Sequence, residues 1–515
     1  MKNLPLGIQT LSEIRDNNCI YVDKTALVHQ LVTTGKYYFL SRPRRFGKSL
    51  LISTLKSLFL GQKVLFEELW IEDKWDWSKT NPVIHLSFDA TNYQGYGLEK
   101  AISKDLEACA KDYSIQLVET DFKSQFSELI HSLSTQYGKV VLLIDEYDKP
   151  IIDYLEDTKI EQAKANRLIL RDFYSVLKNA DSQLKLVFIT GISKFSKVSL
   201  FSHLNNLTDI TLNKRYASLT GYTQTELEFY FEDYITSCSE EIGMSRDELL
   251  AQMKLWYDGY SWDGITELYN PFGTLNFLND QFFKNYWFST GSPDFLMKQM
   301  RKFDRFDVEN SVIDAAMLDK YDIENLLLIP LLFQTGYLTV KKANPRTGEL
   351  VLDYPNKEVR QSMYSFLIDD IAQNPHRLHT GLTIQDINKA FLAKDLFKVK
   401  EVLNGLLGDL PSETYQNQYE GLYHGLVHLI FSYLGMFVSS EVHSSKGQAD
   451  SVVQTLTDVY IFEFKFNKTA DEALQQIIKN NYAAKYRASG KTITAIGVNF
   501  NSTGKEIDDW IEVVL

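Results

Sequence analysis

Tyr37-Tyr38-Phe39-Leu40-Ser41-Arg42-Pro43-Arg44-Arg45-Phe46-Gly47-Lys48-Ser49-Leu50-Leu51 is the stretch on which the fold turns. The apolar run Tyr37–Ser41 predicts a strand, and a short basic loop follows it. Residues 50–60 then predict a helix that Gly61 stops. Strand, turn and helix in that order aim the first N–H groups of the helix, and the positive end of its dipole, at one point. A phosphate suits that point. Lys48 would bridge terminal phosphates and Ser49 would hold Mg²⁺. Arg44 and Arg45 add positive charge to the rim, and Phe46 and Gly47 complete the loop. The general pattern asks for Gly, four residues, then Gly-Lys-Ser/Thr, so Arg42 is a departure at the first glycine.

A second stretch supports the first. Val140-Val141-Leu142-Leu143-Ile144-Asp145-Glu146 is an apolar strand ending in two carboxylates. Asp145 would order Mg²⁺ through its water shell, and Glu146 would orient and deprotonate an attacking water. A buried strand ending in a solvated acidic turn is the plain alternative, and the loop at 47–49 weighs against it. Residues 186–190 predict another strand, followed by Gly191-Ile192-Ser193-Lys194. Thr190 is the first candidate to sense a γ-phosphate and Ser193 the second, against an ordinary turn at Gly191. Arg167 and Arg171 on a helical stretch are arginine-finger candidates, though a solvated helix face accounts for both. With residues 83–88 as a further strand and 98–111 as a helix, the first part alternates strand and helix, as a parallel sheet requires.

Tyr21-Val22-Asp23-Lys24-Thr25, the Ser41–Ser49 string in full and Asp145-Glu146-Tyr147-Asp148-Lys149-Pro150 resemble the AAA-ATPase-like family of bacterial proteins. Phe201-Ser202 with Asn205-Asn206-Leu207, Trp256-Tyr257-Asp258-Gly259-Tyr260 and Tyr269-Asn270-Pro271-Phe272 extend the resemblance through nearly the whole chain. Arg42 is in keeping with that family. The resemblance implies ATP with Mg²⁺ at the loop and a PD-(D/E)XK nuclease-like domain at the C-terminus.

The residues near the C-terminus permit an independent reading. In the strand predicted over residues 459–466, Glu463 and Lys465 share one face while Phe462, Phe464 and Phe466 take the other. A carboxylate and an ammonium so placed suit metal-assisted phosphodiester hydrolysis, the carboxylate binding Mg²⁺ (or Mn²⁺) and the lysine stabilising the charged transition state. A hairpin would bring Asp450, at the start of the preceding strand, beside Glu463. Asp450, Glu463 and Lys465 resemble the PD-(D/E)XK core. The same resemblance offers Glu420 as a further acidic metal ligand and Gln476 as a polar partner, with Glu441 as another acidic candidate. An exposed strand face with an ordinary Glu–Lys pair is the bland alternative. His424, His428 and His443 lack the spacing of a zinc site.

The expected architecture is α/β throughout. It comprises a P-loop, AAA-like parallel-sheet domain over residues 1–222 and a helical lid or linker over 223–350. A restriction-endonuclease-like α/β domain with a helical N-terminal part takes 351–515. At 515 residues the chain exceeds one ordinary core, and 44% hydrophobic with 23% charged residues is a globular balance. Cys19, Cys109 and Cys238 are scattered without metal-type spacing, which suggests a reduced, cytoplasmic setting. Neither a secretory leader nor a membrane span is expected. A net charge of −13 counts against a large DNA-wrapping surface but leaves room for a local basic groove. Nucleic acid is the expected partner, DNA ahead of RNA; a protein partner and an oligomer are left open.

Overall fold

β1 (Tyr37–Ser41) is buried along its whole length, as an unbroken Tyr-Tyr-Phe-Leu run demands of a strand covered on both faces. In the computed structural model, residues 1–194, 200–201, 204, 206–288, 296, 298–300, 308–318, 326–372, 380–408, 420–435, 439–442, 449–501 and 506–515 are described. They form two compact units, Met1–Ser292 with Glu309–Val359, and Pro293–Val308 with Arg360–Leu515.

In the first unit β1 is joined by β2 (Val83–Ser87), β3 (Val140–Asp145), β4 (Leu184–Gly191) and β5 (Thr208–Asp209). Their order is β2-β3-β4-β1-β5, with every neighbouring pair parallel. β4 therefore separates the phosphate-loop strand from the acidic strand, and the C-terminal ends of β1, β4 and β3 share one edge, where such sheets bind ligands. Helix Lys48–Phe59 packs Leu51, Leu55, Leu58 and Phe59 into a cluster with Leu40, Val141, Leu143 and Phe188. Each fully buried side chain of this kind stabilises the fold by roughly 1.5–3 kcal/mol. β1 has the predicted bounds, and β2, β3 and β4 cover the other predicted strands with small shifts at their ends.

The stretch after residue 223 supplies helices Gln224–Ile242, Arg246–Tyr257 and Pro271–Asp280. Capping boxes start the first two: Thr223 with Glu226 and Ser245 with Glu248. Aromatic residues fill their core, including Phe231, Tyr257, Tyr269 and Phe277. An antiparallel sheet of β6 (Ser311–Asp314), β7 (Thr339–Ala343) and β8 (Glu349–Asp353), which the helical reading of 223–350 did not contain, also belongs to this unit.

The second unit holds β9 (Ser439–Val442), β10 (Ser451–Gln454), β11 (Asp458–Phe466), β12 (Thr492–Asn501) and β13 (Glu506–Val514), in the order β13-β12-β11-β10-β9. β10 and β11 form an antiparallel hairpin, and β11 and β12 run parallel across helix Ala470–Lys479. Gly497 permits that crossover: a Cβ there would meet the Ala470 carbonyl at 2.1 Å. The crossover helix ends at Lys479, because Asn481 turns into the left-handed region at φ 51°, and a 3-10 helix, Ala484–Ser489, follows. One expectation is corrected. Asp450 precedes β10 rather than beginning it.

Candidate functional site

At the C-terminal edge of the parallel sheet, Gly47 is left-handed at φ 84° and caps helix Lys48–Phe59 without any side-chain cap. The first N–H groups of that helix are thus available to an anion. Lys48 Nζ is buried and donates to the Arg42 and Pro43 carbonyls at 3.1 and 3.0 Å. Burial pushes its pKa down, against the pull of Glu146, Asp145 and Asp148. An ammonium held only by carbonyls of its own loop can be taken over by a phosphate, which offers full charges in their place. ATP therefore fits this cradle.

Asp145 ends β3 and accepts the Thr190 hydroxyl at 2.5 Å, so the ends of β3 and β4 are tied together. Glu146 follows at φ 52°, a conformation that costs a non-glycine residue and persists only where the surroundings impose it. Burial raises the Glu146 pKa, with Lys48 opposing. Ser193 is engaged elsewhere: its hydroxyl and N–H donate to fully buried Asp148 at 2.6 and 2.7 Å. The sequence gives Asp148 no role, since its neighbours Glu146, Tyr147 and Lys149 do not mark it as buried. Arg167 is half-buried, and exposed Arg171 lies 3.9 Å from Asp172.

Five successive residues of the phosphate loop are each braced from the later part of the unit. The Arg42 guanidinium lies 4.0 Å from the Trp262 ring centroid. Pro43 backs onto Gly336, where a Cβ would come within 2.7 Å of it. The Arg44 carbonyl accepts the Trp287 indole N–H at 3.2 Å. Arg45 stacks over Phe272 at 3.8 Å, and Phe46 lies edge-on to Tyr260 and Trp262 at 4.7 and 5.2 Å. Arg42 also donates to the Ser41 and Thr211 carbonyls, while its Nε and Nη2 are buried without partners. Burial pushes its pKa down to about 9, against the pull of Asp209 and Asp263. It is a packed structural cation toward β5, away from the Asp145 side of the sheet.

In the second unit, Ser451 pairs with Phe462, so the register continues to Asp450 opposite Glu463. Asp450 Oδ2 accepts the Phe464 N–H at 2.8 Å. Glu463 is 2% exposed and accepts Lys465 Nζ on Oε1 at 2.9 Å, while its Oε2 is buried with no hydrogen-bond partner. Burial first, then the charge of Asp450, raises the Glu463 pKa to about 7. Lys465 Nζ also donates to Gln476 Oε1 at 2.8 Å. Gln476 in turn donates to the Tyr482 hydroxyl at 3.4 Å, which takes a second bond from Asn480 at 2.8 Å. Tyr482 and Asn480 were not anticipated.

Two facing carboxylates, one with an orphaned buried oxygen, make a hard-oxygen donor set that fits Mg²⁺ or Mn²⁺. Among the described residues no group of three or more His, Cys, Asp and Glu could hold a metal. Mg²⁺ characteristically takes one or two carboxylates and keeps several waters, so two suffice. Glu420 begins helix Glu420–Leu434 and Glu441 lies in β9 opposite Val452, but their side chains, like that of His424, lie outside what is described. His443 lies outside the described residues.

A predicted AAA-ATPase family model matches residues 5–201, and a PD-(D/E)XK nuclease superfamily model matches residues 418–510. The chain is 38% identical over 524 residues to an uncharacterized protein in the vnfD 5′ region of Azotobacter chroococcum mcd 1, covering 98% of each. No solved structure matches.

Proposed function

The chain belongs to the AAA-ATPase-like family, with a C-terminal domain of the PD-(D/E)XK nuclease superfamily, and from that membership we propose an ATPase whose nucleotide state governs metal-dependent phosphodiester cleavage in nucleic acid. Lys48 and the N–H groups of residues 47–49 bind the phosphates, with Arg44 and Arg45 at the rim. Ser49 and Asp145 hold Mg²⁺, Glu146 takes the proton of the attacking water, and Thr190 reports on the terminal phosphate. In the C-terminal domain Asp450 and Glu463 hold the metal, with Glu420 as a third ligand. A bound Mg²⁺ or Mn²⁺ supplies charge against the phosphodiester and acidity to a water. Lys465 stabilises developing negative charge on the scissile phosphate, and Gln476 fixes its ammonium.

The observation that carries this reading is Lys465 Nζ held between Glu463 and Gln476, with Glu463 Oε2 buried and unpartnered beside Asp450. A purely structural Glu–Lys pair would not leave a buried carboxylate oxygen unsatisfied. Segment 223–350 is the coupling element, because it braces the phosphate loop at residues 42–46. The proposed setting is the cytoplasm: Cys19, Cys109 and Cys238 are free thiols, and among the described residues no helix is long and apolar enough to cross a membrane.

The test is cleavage by the purified protein of duplex and single-stranded DNA and RNA, with Mg²⁺ or Mn²⁺, with and without ATP. Cleavage should vanish in Asp450→Ala, and its response to ATP should vanish in Lys48→Ala. If Lys48→Ala abolished ATP binding yet left ATP-responsive cleavage intact, the coupling would be wrong. The net charge of −13 favours one rival, a regulatory nucleotide switch whose nuclease-like domain only binds a partner. Under that rival Asp450→Ala changes no cleavage because none occurs.

A further inference from the structure

Helix Leu328–Thr335 reads Leu-Ile-Pro-Leu-Leu-Phe-Gln-Thr and is buried from Leu328 through Gln334. A buried carboxamide in such apolar company costs free energy unless both of its ends find partners. Gln334 is 3% exposed, and both ends do. Its Oε1 accepts the Lys194 N–H at 3.2 Å, and its Nε2 donates to the Leu318 carbonyl at 3.1 Å. A methionine would fill the same space and make neither bond. Lys194 closes the loop that follows Thr190. The Ile192 and Ser193 N–H groups of that loop go to Asp148, and Tyr147 donates its hydroxyl to the Ser193 carbonyl at 2.9 Å. The loop is thus held on one side from the end of the acidic strand and on the other by Gln334, 140 residues beyond Lys194 in sequence. Two residues past Gln334, Gly336 backs Pro43 of the phosphate loop. The Arg42 N–H donates to the Gly191 carbonyl at 3.1 Å, so the two loops also touch each other.

We infer that Gln334 is a positioning residue for ATP hydrolysis: it fixes the loop after β4, and with it Thr190, from a turn that also backs the phosphate loop. This rests on the ATPase reading and deepens it. Gln334 acts through the Lys194 backbone and not by contact with nucleotide or metal. Thr190 lies four residues before Lys194, and its hydroxyl holds the Asp145 carboxylate. Little slack separates the two. A Cβ on Gly191 would meet the Tyr147 ring at 2.5 Å, and the Lys194 ammonium pairs with Asp209 at 2.9 Å. Close-packed interiors transmit displacement instead of absorbing it. A shift at Lys194 therefore reaches Thr190, and a misplacement of about 1 Å is enough to slow a chemical step severely.

The test compares ATP turnover with nucleotide affinity in Gln334→Met. Turnover at saturating ATP should fall about tenfold to a hundredfold, while the dissociation constant for ADP stays within about threefold, since the cradle at residues 47–49 is untouched. Ile329→Val loosens the same helix without touching the amide and should turn over ATP as the parent does. Unchanged turnover in Gln334→Met overturns the role, as does an equal loss in Ile329→Val. A parallel loss of ADP affinity overturns it too, because Gln334 would then only support the fold. Hydrogen exchange of the parent protein gives a second reading that needs no variant. With Mg²⁺ and a slowly hydrolysed ATP analogue, amides of residues 190–194 and 328–335 should exchange more slowly than with ADP. Equal exchange there, with residues 47–51 still slowed by nucleotide, overturns the inference and leaves the ATPase reading standing. No slowing at 47–51 with either nucleotide removes the ATPase reading itself.

Discussion

Thr190 donates its hydroxyl to the Asp145 carboxylate at 2.5 Å, joining the C-terminal ends of two adjacent parallel strands. A group that touches the candidate Mg²⁺-ordering acid is well placed to respond to hydrolysis. Thr190→Val keeps the volume and deletes the hydroxyl. ATP turnover should fall about tenfold to a hundredfold while nucleotide affinity stays within about threefold, since the phosphate cradle is untouched. Phosphate-release kinetics and nucleotide titration give the two numbers. Parallel losses in both would deny Thr190 a part in the chemical step.

Arg42 occupies the place of a glycine, yet Arg42→Gly should not improve the loop. The variant removes the stack on Trp262 and the two bonds to the Ser41 and Thr211 carbonyls, and leaves a void. A loss of about 3 kcal/mol is expected, read as a lower midpoint for the first thermal transition. Arg42→Lys should recover little, because an ammonium cannot lie flat on the indole while reaching both carbonyls. An unchanged melting profile in Arg42→Gly would show that the brace contributes nothing.

Asp258, in the Trp256–Tyr260 motif, is 2% exposed with Oδ1 unpartnered, and burial raises its pKa from 3.8 to about 6. The folded state therefore holds a proton that the unfolded state releases between these values. Stability from this group is greatest below pH 4 and declines as the pH climbs toward 6, by at most about 3 kcal/mol. Asp258→Asn should match the parent near pH 4 and exceed it above pH 6. Urea midpoints of both proteins from pH 4 to 7 measure the difference, and a pH-independent difference would assign the effect to packing.

Much of this was legible in the sequence, and the reasons differ by region. β1 and β3 are continuous apolar runs that end in Ser41 and Asp145, a pattern typical of strands buried on both faces. The alternation of Glu463 and Lys465 against Phe462 and Phe464 is enough to put the carboxylate and the ammonium on one face of the strand. β5 has only two residues and no periodicity to detect. The brace on residues 42–46 was invisible because its partners lie more than 200 residues away, at Trp262, Phe272, Trp287 and Gly336. Only the departure from glycine at Arg42 hinted that the loop is held from outside.

Lys465 is fixed by Glu463 at 2.9 Å and by Gln476 at 2.8 Å, so the two partners should matter differently. Lys465→Ala removes the cation itself, and cleavage should fall a thousandfold or more, in the range of losing a principal charge-stabilising group. Metal uptake should persist or tighten, since Glu463 loses a competing cation while its oxygens still face Asp450. Gln476→Ala leaves the ammonium but frees its position; a loss of about tenfold to a hundredfold is expected. Asp450→Ala should abolish both metal uptake and cleavage. Mn²⁺ titration by calorimetry, run beside cleavage assays, separates these cases. If Lys465→Ala lost metal and activity together, the lysine would be holding the fold of the site rather than acting on the phosphate.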